Sequence, residues 1–242
     1  MKTLAATIRR KLKERADAQT KAASERYFRG VISFYGLKAP TLRALYRELS
    51  AQVHALSLAD QLTLAQTLLR SHFGEEKQFA ICILEASRKE LGPQFLIQFE
   101  PDLQNHVFDW GTADALSGRV FRHFIERGDK SATQRIVAWR NHSSLWMQRM
   151  AAVSFVWLAQ KGGVTQEVLH VCTSTVRNKE RFTQLGTGWV LRELWLAEPA
   201  RVESFLTKNY AFFSREGLRY ATEKMPAKKR AYFLESNNFL QG

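Results

Sequence analysis

Apolar residues recur every three to four positions along almost the whole chain. Leu4, Ile8 and Leu12 align on one face, with Arg9, Lys13 and Arg15 over much of the remainder. Leu58, Leu62, Ala65 and Leu69 repeat the spacing, as do Trp146, Met150, Val153 and Trp157. This is the period of amphipathic helices. The breaks between them carry helix-boundary chemistry. Pro40 is suited to opening the helix through Leu42 and Leu45, Gly92-Pro93 to ending one segment, and Gly162-Gly163 to ending another. A strand competes only in Val31-Ile32-Ser33-Phe34-Tyr35, and no succession of strand and turn signals accompanies it. The pattern predicts an all-α chain.

A weak repeat lies over this pattern. Gln78, Gln148 and Gln184 each stand near the start of a long apolar helix, 70 and 36 residues apart, and Asp114 lies 36 past Gln78. A unit of about 35–40 residues is the scale of stacked helix pairs, which build solenoids with a concave binding face. With no low-complexity linker in view, the expectation is a single curved α-solenoid domain over residues 1–242.

Charge changes the picture from fold to partner. Lys and Arg total 36 against 23 Asp and Glu, a formal net charge of +13. Such an excess favours nucleic acid or an anionic membrane. The 45% hydrophobic content supports a folded core. Cys82 and Cys172 stand alone inside apolar stretches and read as buried free thiols of a reducing compartment. No stretch approaches the ~18 apolar residues that span a bilayer, and residues 1–10 lack a signal-peptide core. The expectation is a cytoplasmic protein without membrane contact. The six histidines show no ligand spacing and no phosphate or dinucleotide loop occurs, so neither a metal nor a cofactor is expected.

Trp110-Gly111-Thr112-Ala113-Asp114 is the segment richest in chemistry. On a helix, residues four apart share a face, so an indole and a carboxylate lie side by side in a strongly basic chain. That pairing suits a developing positive charge held against a polyanion. Singly, Trp110 and Trp189 fit a core more readily than a ligand site, and Asp114 also fits an ion pair to Arg149 or Arg119. Trp139, Trp146, Trp157 and Trp195 are assigned to the core. Gly186-Thr187-Gly188 sits inside a helical pattern and suits either a phosphate contact or tight helix packing. Lys224, Lys228, Lys229 and Arg230 form a solvated basic face or an extension of a phosphate track.

Four segments in order resemble the AlkD-like DNA glycosylases, the HEAT-repeat family of DNA alkylation repair enzymes. They are Glu25-Arg26-Tyr27-Phe28 with Phe34-Tyr35-Gly36-Leu37-Lys38-Ala39-Pro40; Trp110 to Asp114; Leu145-Trp146-Met147-Gln148-Arg149-Met150-Ala151-Ala152; and Gly188-Trp189-Val190-Leu191-Arg192-Glu193. Ser214-Arg215-Glu216 extends the likeness toward the C-terminus. The resemblance implies a superhelical solenoid of HEAT-like helix pairs with a concave cationic groove. It implies a monomeric, monofunctional glycosylase that releases 3-methyladenine and 7-methylguanine from alkylated duplex DNA without flipping the base. Carried over by position, Asp114, Trp110 and Trp189 are the catalytic residues, and Tyr27, Arg149, Lys38 and Arg192 contact DNA. A DNA-binding paralogue without catalysis and a HEAT protein-interaction scaffold are the alternatives.

The residue types fit that chemistry. An N3- or N7-alkylpurine leaves as a neutral base from a cationic ground state and needs little acid assistance. The oxocarbenium-like sugar is what needs stabilising, by a carboxylate at Asp114 and by the π faces of Trp110 and Trp189. Asp109 and Gly111 around Trp110, and Gly186 and Thr187 before Gly188, depart from the bulkier residues of the resembled motifs.

Overall fold

The computed structural model describes residues 2–235, and its regular elements are helical. The helices are α1 (Lys2–Glu14), α2 (Ala18–Tyr27), α3 (Ala39–His54), α4 (Leu58–Leu69), α5 (Gly74–Ala86), α6 (Gln94–His106) and α7 (Trp110–Leu116). A π-helical turn, Ser117–Phe121, follows α7 directly. Beyond it come α8 (Arg122–Glu126), α9 (Lys130–Ala138), α10 (Leu145–Val153), α11 (Val156–Ala159) and α12 (Thr165–Thr175). The last described helices are α13 (Arg181–Leu194), α14 (Pro199–Asn209), α15 (Arg215–Ala221) and α16 (Ala227–Leu234). The described residues form two compact units, divided between Ala115 and Leu116.

Helix starts follow cap chemistry. Asp17, Ser57, Asp109, Asp129 and Ser214 each accept the backbone N–H of the residue three positions on. Each such cap contributes about 1 kcal/mol. Pro40 lies in the first turn of α3, and Gly162 and Gly163 turn the chain after α11 at φ +75° and +80°. The strand-like run Val31–Tyr35 finds no pairing partner of matching length. It reduces to one parallel bridge, Ser33 to Phe73, in which Ser33 N–H donates to the His72 carbonyl and Gly74 N–H to the Ser33 carbonyl.

In the first unit, α4 packs on α5, and α5 also meets α3 over Leu45, Leu49, Leu64, Leu68 and Phe79, all essentially inaccessible. Buried Asp102 of α6 binds Arg70 through both oxygens and takes a further bond from Gln66, tying α6 to α4. In the second unit, α13 lies against α10 and α15, over a core that includes Trp139, Phe121, Phe124 and Phe155.

Long polar side chains stitch the helices end to end. Gln184, fourth in α13 and fully buried, donates to the Val176 and Asn178 carbonyls behind it, while its Oε1 accepts Ser214 N–H. Gln148, fourth in α10, donates to the His142 carbonyl and accepts from Asn178. The corresponding place in α5 belongs to Lys77, which donates to the Leu69 and His106 carbonyls, not to Gln78 as the sequence repeat suggested. The repeat is therefore a device for satisfying the orphan carbonyls of helix ends.

Glu75 performs the complementary task for a loop. Its carboxylate accepts three buried backbone N–H groups, from Tyr35, Gly36 and Leu37, at 2.8–3.0 Å. The neighbouring Glu76 accepts the Tyr35 hydroxyl and Arg9 Nε. Glu75→Ala orphans all three donors, which costs about 3 kcal/mol or more. For a domain of this size that lowers Tm by about 6–12 °C. Glu75→Gln, which keeps one acceptor oxygen, loses less; calorimetry of the two variants checks the order.

Candidate functional site

The loop pinned by Glu75 follows directly on Phe34, which braces the aromatic cluster around Trp110. Gly36 sits at φ +104°, and a Cβ there would lie 2.1 Å from the Asp17 carbonyl oxygen, so only glycine lets the loop pass α2. Phe34 in turn packs over Gly74 and tilts against Phe28, with ring centres 5.1 Å apart. Phe28 stacks on Trp110 at 4.9 Å with the planes 9° apart. Tyr27 sets its ring edge-on to Trp110 at 5.5 Å and remains 69% exposed. Trp110 itself is half-buried.

Three adjacent residues fix how α7 begins. Asp109 Oδ1 caps the helix through Thr112 N–H at 2.8 Å. Gly111 leaves room for Phe28, since a Cβ would come 2.9 Å from that ring. Trp110 opens the helix, and half-buried Asp114 follows one turn later on the same face. Asp109 is buried, and its Oδ2 has no hydrogen-bond partner. Burial pushes its carboxyl above the usual range, opposed by the Thr112 bond and by the Lys77 charge. Lys77 is also buried, lying 4.4 Å from the centre of the Phe108 ring.

Among the expected DNA contacts of this unit, Tyr27 and Lys38 are solvent-exposed. Lys38 precedes α3 and lines a cavity of about 580 Å³ with Arg15, Asp17 and Thr20.

In the second unit, half-buried Trp189 of α13 meets Trp157 edge-on at 5.6 Å. Trp157 packs over Gly118 of the π-helical turn, where a Cβ would lie 2.4 Å from the ring. Arg122 lies over the same indole, 5.7 Å from its centre. Trp139 is a core residue as expected, whereas Trp157 is half-buried and belongs beside Trp189. Arg149 is only 6% exposed, and its Nη1 donates to the Phe182 carbonyl at 2.7 Å. Arg192 donates to Glu193 through Nε and Nη2 and to Glu223 through Nη1.

The glycines of α13 resolve to packing. A Cβ on Gly188 would lie 2.6 Å from the Gly217 carbonyl oxygen, and one on Gly186 would lie 3.2 Å from Arg149 Cγ. Of the basic C-terminal cluster, Lys224 pairs with Glu193 and Lys229 with Glu203. Sequence reasoning missed Phe28, Lys77 and Trp157 as site-shaping residues. Asp109 carried a readable signal, a short acidic side chain immediately before a helix.

Among the described residues no helix is long and apolar enough to cross a membrane, and no group of three or more His, Cys, Asp or Glu is placed to hold a metal ion. Both cysteines are buried, and burial pushes the Cys172 thiol far up.

The fold is one already seen in a solved structure titled "Predicted DNA alkylation repair enzyme from Enterococcus faecalis". The TM-score is 0.78 at 18% sequence identity, over 88% of this chain and 97% of that one, a likeness that carries the fold alone. Sequence comparison goes further: the model of the DNA alkylation repair enzyme family matches residues 8–225, and the chain belongs to that family. A search of curated proteins finds no match.

The buried lysine gives the site a pH signature. Burial draws the Lys77 ammonium down to about 8 from 10.5, against the pull of Asp109 and Glu76. The folded state thus holds this proton less tightly than the unfolded chain, so stability rises as pH climbs from about 8 toward 10.5. The full span corresponds to about 3 kcal/mol at ~1.4 kcal/mol per unit. Urea unfolding between about pH 8 and 10 shows this rise in the wild type, and Lys77→Met lacks it.

Proposed function

We propose that the protein is a monomeric, metal-independent, monofunctional DNA glycosylase of the cytoplasm, excising positively charged alkylpurines such as 3-methyladenine and 7-methylguanine from duplex DNA. Family membership supports a role in DNA alkylation repair. The observation that carries the finer reading is the start of α7, where a partly exposed indole and a partly exposed carboxylate stand one turn apart on a helix with a fixed origin.

In this reading the C1′–N bond breaks heterolytically, and its electron pair neutralises the departing cationic purine. Asp114 stabilises the oxocarbenium-like sugar and orients the water that attacks C1′. By position in the resembled motifs Trp110 and Trp189 are the aromatic residues of the reaction, a π face over a cation contributing about 0.5–2 kcal/mol. The products are a free alkylated base and an abasic site, with no lysine Schiff base and no strand cleavage. Because the base brings its own positive charge, its edge need not be read, and the lesion stays in the stack.

Tyr27 and Lys38 are exposed and meet DNA directly. Arg149 and Arg192 enter with internal partners at Phe182, Glu193 and Glu223. A phosphate contact from either exchanges or shares those partners, so both arginines also orient α13, which carries Trp189.

Chromatography of bases released from methylated duplex DNA tests the assignment. Wild type releases 7-methylguanine or 3-methyladenine, and Asp114→Asn loses about 100-fold or more of that rate while its DNA affinity stays within about threefold. Full excision by Asp114→Asn overturns the role of Asp114. Tight DNA binding by wild type with no released base selects a non-catalytic DNA-binding paralogue instead.

A further inference from the structure

The C-terminus of α2 closes in a way that glycine normally serves. Gly30 N–H donates to the Glu25 carbonyl at 2.8 Å and Arg29 N–H to the Arg26 carbonyl at 3.1 Å, the paired bonds of a Schellman motif. Such a closure needs a left-handed backbone at the residue after the cap. That residue is Arg29, at φ +54°. Among the described residues every other positive-φ position holds glycine: Gly30, Gly36, Gly128, Gly162 and Gly163. An arginine with a β-carbon is strained there, and the strain persists only where the side chain gives something back.

The fold does not use that side chain. Arg29 is exposed, and among the described residues no carboxylate pairs with it or with Arg26. The acid of this turn, Glu25, faces elsewhere, accepting Phe34 N–H and pairing with Lys21. Tyr27, two residues earlier, is 69% exposed and edge-on to Trp110, and Val31, two residues later, is 55% exposed. The turn therefore offers two unpaired guanidiniums around an exposed aromatic ring next to the catalytic indole proposed above.

We infer that Arg29 is a DNA-binding residue whose guanidinium grips a backbone phosphate of the duplex beside the lesion, held at the α2 C-terminus by a left-handed backbone that the fold alone would fill with glycine. The inference rests on the reading of the protein as one that binds duplex DNA, which the +13 net charge supports. A phosphodiester is the matching chemistry because a guanidinium presents parallel N–H donors to two of its oxygens and reads no sequence in doing so. The competing role is a purely local one, a cation stabilising the negative end of α2.

The two roles predict opposite signs for Arg29→Gly. If the side chain serves DNA, removing it relieves the backbone, and Tm rises by about 2 °C. At the same time affinity for an undamaged duplex oligonucleotide falls about fivefold to tenfold near ~0.1 M salt, and the slope of log K against log salt becomes shallower by about 0.9. Arg29→Lys keeps most of that slope. Fluorescence anisotropy from about 50 to about 200 mM salt, run beside thermal unfolding, reads both quantities. An unchanged slope in Arg29→Gly, or a lowered Tm, overturns the inference while leaving the glycosylase reading intact. Wild type with no salt-dependent affinity for duplex DNA overturns both.

Discussion

Every helix leaves about four backbone carbonyls without partners at its C-terminal end, and an all-helical chain meets that constraint at each turn. The described residues answer it with one long polar side chain placed fourth in a following helix: Lys77 in α5, Gln148 in α10 and Gln184 in α13. Each ties a helix end behind it to its own helix, and each also reaches a second segment further on. The registers of α7 and α13 follow. Lys77 bonds the last carbonyl of α6 at His106, just before Asp109 starts α7 and exposes Trp110. Gln184 anchors the first turn of α13, the helix that carries Trp189.

The local parts of this architecture were legible in the sequence, and the non-local parts were not. Helix periodicity, Pro40 at the start of α3, the glycine pair after α11 and the one-turn spacing of Trp110 and Asp114 depend on residues within a turn of each other. The stitching lysine was missed because its partners at Leu69 and His106 lie 8 and 29 residues away, and Gln78 beside it matched the glutamines at 148 and 184 by type. Gly188 could not be separated from a phosphate loop until the Gly217 carbonyl came into place against it. Trp157 reads as one more core tryptophan until its contacts with Gly118 and Trp189 exist. Type and spacing specify a face, while partners tens of residues away specify what that face touches.

Charge is distributed with the same logic. Glu75, Glu76, Asp102, Asp109 and Glu193 are buried, and apart from Asp109 Oδ2 their oxygens go to backbone donors, hydroxyls, amides or the side chains of arginine and lysine. Acids that hold the interior together are not available to neutralise the surface. Arg26, Arg29 and Lys38 are exposed, and among the described residues no carboxylate is bound to them. A basic surface so produced attracts a polyanion over a range set by salt, while the buried acids are screened little. At Arg26, Arg29 and Lys38, attraction to a polyanion thus draws on charges that the buried acids do not use.

In the glycosylase reading proposed above, that separation matters because the substrate already carries the positive charge. When the leaving group needs no proton, catalysis reduces to holding a carboxylate and π faces where the sugar cation will form, before it forms. Such preorganisation is worth most when the groups do not reorganise on binding. Trp110 meets the requirement through three independent constraints: the parallel ring of Phe28, the absent side chain of Gly111 and the Asp109 cap. The Phe28 ring is itself seated on a loop that the Glu75 carboxylate holds in place. In that reading the buried carboxylate of α5 acts on the chemistry without touching it, because Tyr35 to Leu37 connect through Phe34 and Phe28 to the indole. In the proposed reading, rigidity at Trp110, to which Phe28 of the α2 C-terminal turn contributes, and strain at Arg29 of that same turn divide the work between fixing the reacting centre and seizing the backbone beside it.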